Sequence, residues 1–287
     1  MIDFVINEKA GGKRTLRAKK TISEILDEKK IEYRFHTTEY RKHAIEITKQ
    51  LCAEGAKTIV AVGGDGTINE VLNGLDDLSV NFGIIPTGSG NDFIDSANIP
   101  SDVKAALDII LYGTAKPTDF LVCDNIRGIN IIGTGIDVEI LQRCENSKIL
   151  KGKVKYFISL LISLMKFKFY KLRLSDEPER ERNALIVCCC NGKKFGGGIP
   201  MCPEAVIDDN QMDFVLINQM EKFAIPKYLA KLMKGKILEQ EFTDFVRQDH
   251  VNAIFDKPVS VEIDGEIYHD VKFDVHIEKG KLNLFRP

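Results

Sequence analysis

The 287-residue chain has no tryptophan and only nine prolines. It has no Pro-rich linker, no internal repeat and no low-complexity segment. It also lacks a disulfide framework. The seven cysteines are odd in number, and Cys188, Cys189 and Cys190 are consecutive. The start, Met1-Ile2-Asp3-Phe4, has neither a basic leader nor a long apolar core behind it. Long hydrophobic runs are missing as well. The longest, Tyr156 to Met165, has ten residues, where a membrane-crossing helix needs about 20. These absences predict a soluble, reduced, cytoplasmic protein. No C-x-x-C pair or H-x-x-x-H spacing supports a structural zinc, and the five histidines show no ligand pattern. A formal net charge of −2 gives no global attraction to nucleic acid.

What is present is an ordinary globular balance, 44% hydrophobic and 29% charged, which excludes disordered and collagen-like chains. The near-neutral sum hides local imbalance. Residues 9–20 hold six bases and no acid, and residues 148–174 hold eight, again with no acid. The remainder is therefore acidic.

The first hundred residues alternate between two periodicities. Ile2–Asn7, Ile31–Thr37, Thr58–Val62 and Phe82–Ile85 read as strands. Thr21–Lys30, Ala44–Ala53 and Thr67–Leu75 carry helical spacing. Strand–helix alternation of this kind predicts a doubly wound α/β domain with a parallel sheet, whose ligands sit at the carboxyl ends of the strands. After Pro117 short β-type runs take over: Phe120–Cys123, Ile129–Ile132, Phe169–Leu174, Ala184–Cys190, Asp213–Ile217, Val259–Ile263, Val271–Ile277 and Leu282–Phe285. Helical stretches near Val154–Met165 and Lys222–Met233 interrupt them. The prediction is a mainly antiparallel β-sandwich as the second domain. We place the domains at 1–117 and 118–287, with the last strand free to return to the first.

The strongest chemical signal is Gly63-Gly64-Asp65-Gly66-Thr67-Ile68-Asn69, where a buried strand meets a helix start. Glycines let a ligand approach the backbone, and the amides of a helix start suit phosphate. The same pattern also serves as a plain tight turn. A second glycine-rich loop, Pro86-Thr87-Gly88-Ser89-Gly90-Asn91-Asp92-Phe93, follows the next strand. Two such loops at successive strand ends face one crevice. Other phosphate and nucleophile motifs fail. Arg14 follows Gly12-Lys13, so there is no Walker loop, and Asn69 stands where a dinucleotide fingerprint needs glycine. Thr87 breaks the serine-hydrolase elbow.

These two motifs together resemble the diacylglycerol kinase catalytic-domain family, in its soluble bacterial lipid kinase branch. The resemblance continues through Gly133–Asp137, Asn191-Gly192, Gly196–Gly198, Pro203–Ala205 with Asp209, and Ile263–Glu266, in family order along nearly the whole chain. It implies an NAD kinase-like first domain and ATP between the domains, held by Gly63, Gly64, Asp65, Gly66, Thr67, Ile68 and Asn69. Thr38, with Thr37 as rival, and Ser89 are implied as further nucleotide contacts. It implies Mg²⁺ held by Asp209 with Val206 and Gln211, and Glu266 as general base. Asp65, Asp92 and Asp119 fall where family aspartates support the phosphate and metal network. Two departures stand out: Asn210 follows Asp209 where the family has glycine, and Asn7-Glu8 replaces Asn-Pro.

Read without the family, Asp264-Gly265 is a hairpin turn signal and Glu266 an ordinary strand residue. Asp208-Asp209 reads equally as an acidic turn. The apolar centre of 148–174 is either a core helix or an acyl-chain wall beside a basic rim that meets anionic headgroups. The basic run Lys9–Lys20 is either a solvated helix start or a neighbour of nucleotide phosphates. The expected function is an ATP- and Mg²⁺-dependent lipid kinase acting on a lipid hydroxyl, with diacylglycerol as the leading substrate and peripheral contact with the inner membrane face. The alternatives are a kinase of a soluble substrate such as NAD, and a lipid-binding regulator with a dead site.

Overall fold

The computed structural model describes residues 1–136, 138, 139, 141, 167 and 169–287. The expected helix near Val154–Met165 and the apolar centre of 148–174 lie outside them. The first half runs β1 (Ile2–Ile6), α1 (Glu8–Gly11), α2 (Lys13–Lys29), β2 (Tyr33–Thr37), α3 (His43–Ala53), β3 (Thr58–Gly63), α4 (Asp65–Gly74), β4 (Asn81–Pro86), α5 (Asp92–Ala97) and α6 (Val103–Tyr112). Strands β2, β1, β3 and β4 pair in parallel in that order. β1, β3 and β4 are buried on both faces, as in Val60, Ala61 and Val62, because helices cover the sheet from either side, while the edge strand β2 is only half-buried. Local signals set the ends. Lys30 takes a left-handed φ of 55° to close α2, and the Asp102 carboxylate accepts the Ala105 N–H at 2.9 Å to open α6.

The second half contains β5 (Ala115–Cys123), β6 (Ile126–Gly128), β7 (Ile131–Gly135), β8 (Tyr170–Leu174), β9 (Glu177–Cys190), β10 (Met212–Asn218), β11 (Thr243–Gln248), β12 (His250–Phe255), β13 (Val261–Ile263), β14 (Glu266–Tyr268) and β15 (Phe273–Phe285). All their mutual pairings are antiparallel. The predicted fold class, an α/β domain followed by a mainly antiparallel sandwich, is what the chain adopts.

Four differences from the sequence reading have physical causes. α2 begins at Lys13 rather than Thr21, since the basic run is itself helical. The two runs Val271–Ile277 and Leu282–Phe285 are one strand, β15. Its register against β5 shifts between Glu278 and Leu282, where Gly280 adopts φ 59°. Ile129 and Asn130 do not extend β7 because their amides are used elsewhere, as described below. The helix expected over Lys222–Met233 is a 3₁₀ turn, Lys222–Ala224, leading into Ile225–Leu232.

β15 ties the halves together. It pairs with β12 and β5, and Leu284 meets Phe82 of β4 in parallel. Among the described residues no helix is long and apolar enough to cross a membrane, and the six described cysteines are free thiols.

Candidate active site

Strand β3 ends at Gly63, Gly64 caps the turn, and α4 starts at Asp65. The following strand end curls beside it. The Thr87 N–H donates to the Gly63 carbonyl at 2.8 Å and the Gly88 N–H to the same oxygen at 3.2 Å. A Cβ on Gly88 would sit 2.4 Å from the Gly64 Cα. The two loops therefore pack backbone against backbone, and glycine is required at the contact. Thr15 Oγ1 lies 2.8 Å from Thr87 Oγ1, and Arg14 donates to the Gly88 carbonyl at 3.1 Å. The basic start of α2 thus supports the second loop.

Two cavities flank this turn. The polar one, about 490 Å³, is lined by Asn7, Lys9, Thr38, Arg41, Gly64, Gly66, Thr67, Glu70 and Glu266 among others. A Cβ on Gly66 would meet nothing within 4 Å, so this backbone is open to a ligand. The other, about 200 Å³, has Ile68, Phe93, Ile129, Ile131 and Phe195 as its apolar wall and Asp65, Asp92, Glu262 and Asp264 at its polar end. Neighbouring residues of each turn are divided between the two. Gly64 and Gly66 face the polar side while Asp65 faces the apolar side, and Glu266 stands opposite Asp264 and Gly265 in the same way.

The carboxylates differ in their partners. Asp65 Oδ2 accepts the Asn91 N–H at 2.7 Å, whereas its buried Oδ1 has no hydrogen-bond partner among the described residues. Burial, followed by the charge of Asp92, pushes the Asp65 carboxyl up to about 6. Burial also raises Asp92, against the N–H of Gly197 at 2.8 Å. Asp264 is saturated. Its Oδ1 accepts from Asn130 and Ile131, each at 2.9 Å, and its Oδ2 from Ile129 at 2.7 Å and Asn69 Nδ2 at 2.9 Å. This is where the amides of Ile129 and Asn130 go instead of into a ladder. Burial pushes Asp264 up, and these donors oppose the shift.

Of the sequence-predicted nucleotide contacts, Thr38, Gly64, Gly66 and Thr67 line the polar cavity with Glu266. Thr38 is buried and Thr37 exposed. Asp65 and Ile68 face the apolar cavity. Gly63 lies under the turn, where a Cβ would come 2.3 Å from Thr67 Oγ1. Like Gly63, two further residues are not brought to either cavity. Ser89 is exposed on the second loop. Asn69 points its amide at Asp264 and at the Arg127 carbonyl, both at 2.9 Å, which locks α4 to the second domain.

Asp209, Val206 and Gln211 share an exposed turn that lines neither cavity. The Gln211 N–H donates to Asp209 Oδ1 at 3.0 Å, and Asn210 takes the left-handed φ of 63° that glycine would otherwise supply. Asp119 does not reach the cavities. It fixes this turn by accepting the Asn210 N–H at 2.8 Å, and the β15 bulge by accepting the Gly280 N–H at 2.5 Å. One carboxylate with carbonyls and waters is a donor set that fits Mg²⁺. The orphaned Asp65 Oδ1 beside Asp92 fits a cation at the turn between the cavities.

Sequence reasoning missed Arg41 and Asp264. Arg41 ion-pairs with Glu266 across 225 positions and lines the polar cavity. Its only sequence signal is a base placed between Thr38 and the start of α3. The side chain of Asp264 carried no signal, because its partners are distant in the chain.

Known proteins share this two-domain fold. Residues 2–123 match the family model described as the diacylglycerol kinase catalytic domain. Residues 130–286 match the YegS C-terminal NAD kinase beta sandwich-like domain. A protein of Enterobacter sp. (strain 638) named "Probable lipid kinase YegS-like" is 32% identical over 293 residues, covering 99% of this chain and 95% of its own. One of the same name from Serratia proteamaculans (strain 568) is 30% identical, with 99% and 89% covered. The crystal structure of a diacylglycerol kinase from Bacillus anthracis strain Sterne superposes with a TM-score of 0.75 at 21% identity, covering 100% of this chain and 96% of that one. The chain belongs to the diacylglycerol kinase catalytic-domain family, in its YegS-type two-domain form. Its class is that of the lipid kinases.

Proposed function

We propose that the protein transfers the γ-phosphoryl group of ATP to the hydroxyl of diacylglycerol, giving phosphatidate and ADP. One observation carries this reading: the Gly63–Thr67 turn separates a polar cavity from an apolar one, and Glu266 stands at the divide. A phosphate-bearing donor suits the side with Lys9, Arg41 and the open Gly66 backbone. An acyl-bearing alcohol suits the wall of Ile68, Phe93, Ile129, Ile131 and Phe195. That wall favours a lipid over NAD.

In the reaction the lipid oxygen attacks phosphorus, its proton passes to the Glu266 carboxylate, and the bond to the ADP oxygen breaks. Glu266 begins paired with Arg41, so the guanidinium is available to the incoming phosphate charge as Glu266 takes up its role. Asp264, held by four N–H donors, fixes the turn that presents Glu266. Mg²⁺, when bound, neutralises phosphate charge, and Asp65 and Asp92 are the residues that would meet it at the turn. Asp209 with the Val206 and Gln211 carbonyls would hold a second ion apart from the chemistry.

Labelled ATP offered with diacylglycerol, monoacylglycerol, a sphingoid base, phosphatidylglycerol and a prenol in mixed micelles, with NAD as control, tests the substrate. Label in phosphatidate is expected, and label in NADP alone overturns the reading. Glu266→Gln keeps volume but cannot accept the proton, so kcat is expected to fall about 10²–10⁴-fold with ATP affinity little changed. Full turnover by that variant would move the base elsewhere.

A further inference from the structure

Residues 222–236 hold Lys222, Lys227, Lys231, Lys234 and Lys236 and no acidic residue. The helix Ile225–Leu232 buries Ile225 and Leu232 in the second-domain core. Tyr228 anchors it edge-on against Phe242, with ring centroids 4.3 Å apart. Other apolar side chains of the segment stand in water. Phe223 is 83% exposed, the most exposed of the large hydrophobic residues described, and Met233 is 55% exposed. Lys227 and Lys231, four residues apart in the helix, lie along one side of it, and Lys234 follows in the turn just past its end. None of the three forms an ion pair among the described residues.

Exposed aromatic and thioether groups framed by lysines without ion-pair partners are the features of a helix that lies in a bilayer interface, apolar groups inward and ammonium groups at the headgroups. We propose that segment 222–236 docks the protein on an anionic bilayer, with Phe223 and Met233 entering the acyl boundary and Lys227, Lys231 and Lys234 meeting lipid phosphates. Charge complementarity selects this occupant, because five bases without an acid repel a second copy of the same face. The inference rests on the lipid-kinase reading, since the substrate resides in such a bilayer. It also fits the packing: the core that holds Ile225 and Leu232 includes Ile131, which lines the apolar cavity.

The test is co-sedimentation of the full chain, without ATP, with vesicles of phosphatidylglycerol and phosphatidylcholine, against pure phosphatidylcholine. Wild type is expected to bind the anionic vesicles, more weakly as salt rises. Phe223→Ser should weaken that binding about tenfold. The triple change Lys227→Gln, Lys231→Gln, Lys234→Gln should weaken it about fivefold per lysine. Both variants should melt like wild type and phosphorylate micelle-dispersed lipid at the wild-type rate. Equal vesicle binding by wild type and both variants overturns the proposal, as does wild type that ignores anionic vesicles. A dimer that Phe223→Ser breaks, with vesicle binding unchanged, also overturns it and gives the patch to a second copy. Vesicle binding that depends on these residues, with no lipid phosphorylated in micelles, keeps the surface and rejects the catalytic reading.

Discussion

Asp65 and Asp264 stand on the rim of one cavity and are treated in opposite ways by the fold. Asp264 accepts four hydrogen bonds, three of them from consecutive backbone amides. Asp65 accepts the Asn91 N–H on one oxygen and, among the described residues, keeps the other oxygen buried with no partner. A saturated carboxylate has nothing left to offer a ligand, so Asp264 holds the architecture. An unsaturated buried carboxylate costs stability until something binds it, so Asp65 is the one of the two left open to a ligand. The contrast separates two roles that the sequence, showing an aspartate next to a glycine in both places, presents alike.

The comparison breaks most visibly in turnover. Asp65→Asn should lower kcat by about 10³-fold, the scale of losing one well-placed electrostatic group. The same variant should be more stable than wild type at pH 8 and equal to it at pH 4. The Asp65 carboxyl titrates near 6 in the native state and near 3.9 when unfolded. The native form therefore binds the proton more tightly, and stability falls as pH rises through that interval, by about 3 kcal/mol in all. Urea titrations of both proteins at the two pH values check this, and an unchanged pH slope in Asp65→Asn would contradict it.

Asp264→Asn should act on stability first. An amide offers one acceptor oxygen and turns its NH₂ toward N–H donors, so about 2–4 kcal/mol should be lost. The midpoint in urea reads it. An unaltered midpoint with lost activity would put Asp264 with Asp65. The smallest effect concerns the paired loops. Gly88→Ala brings a Cβ to 2.4 Å from the Gly64 Cα, whereas Gly64→Ala brings one to 3.1 Å from the Gly88 Cα. The first should cost about 2 kcal/mol and the second less than half as much, with ATP affinity reduced in both. Thermal melts and nucleotide titrations separate the two.

Where the signal was local, the sequence was readable. The buried run Thr58–Val62 and the spacing of Ala44–Ala53 located β3 and α3 to within a residue. The glycine loops announced themselves because close backbone approach needs glycine whatever surrounds it. Asp264-Gly265 was legible as a turn, and it is one: φ is 49° and 89° at the two positions, and Ile263 pairs with Glu266 across it. That its carboxylate gathers the amides of Ile129–Ile131 was not legible, since nothing local distinguishes a solvated turn aspartate from one aimed at a loop more than a hundred residues away. Arg41 escaped for the same reason. Its meaning lies in Glu266, on another domain's hairpin.

β15 carries a consequence for how the chain matures. The parallel sheet β2-β1-β3-β4 is made early in synthesis, yet β4 gains its outer neighbour only when Leu284 arrives beside Phe82. Until then β4 is an unpaired edge flanked by apolar residues, the kind of template that invites foreign strands. The nascent first domain must wait, with that edge open, while the whole second domain is translated and β15 threads between β12 and β5. Ribosome pausing or chaperone contact during that interval would bear on yield far more than on the final stability of the finished protein.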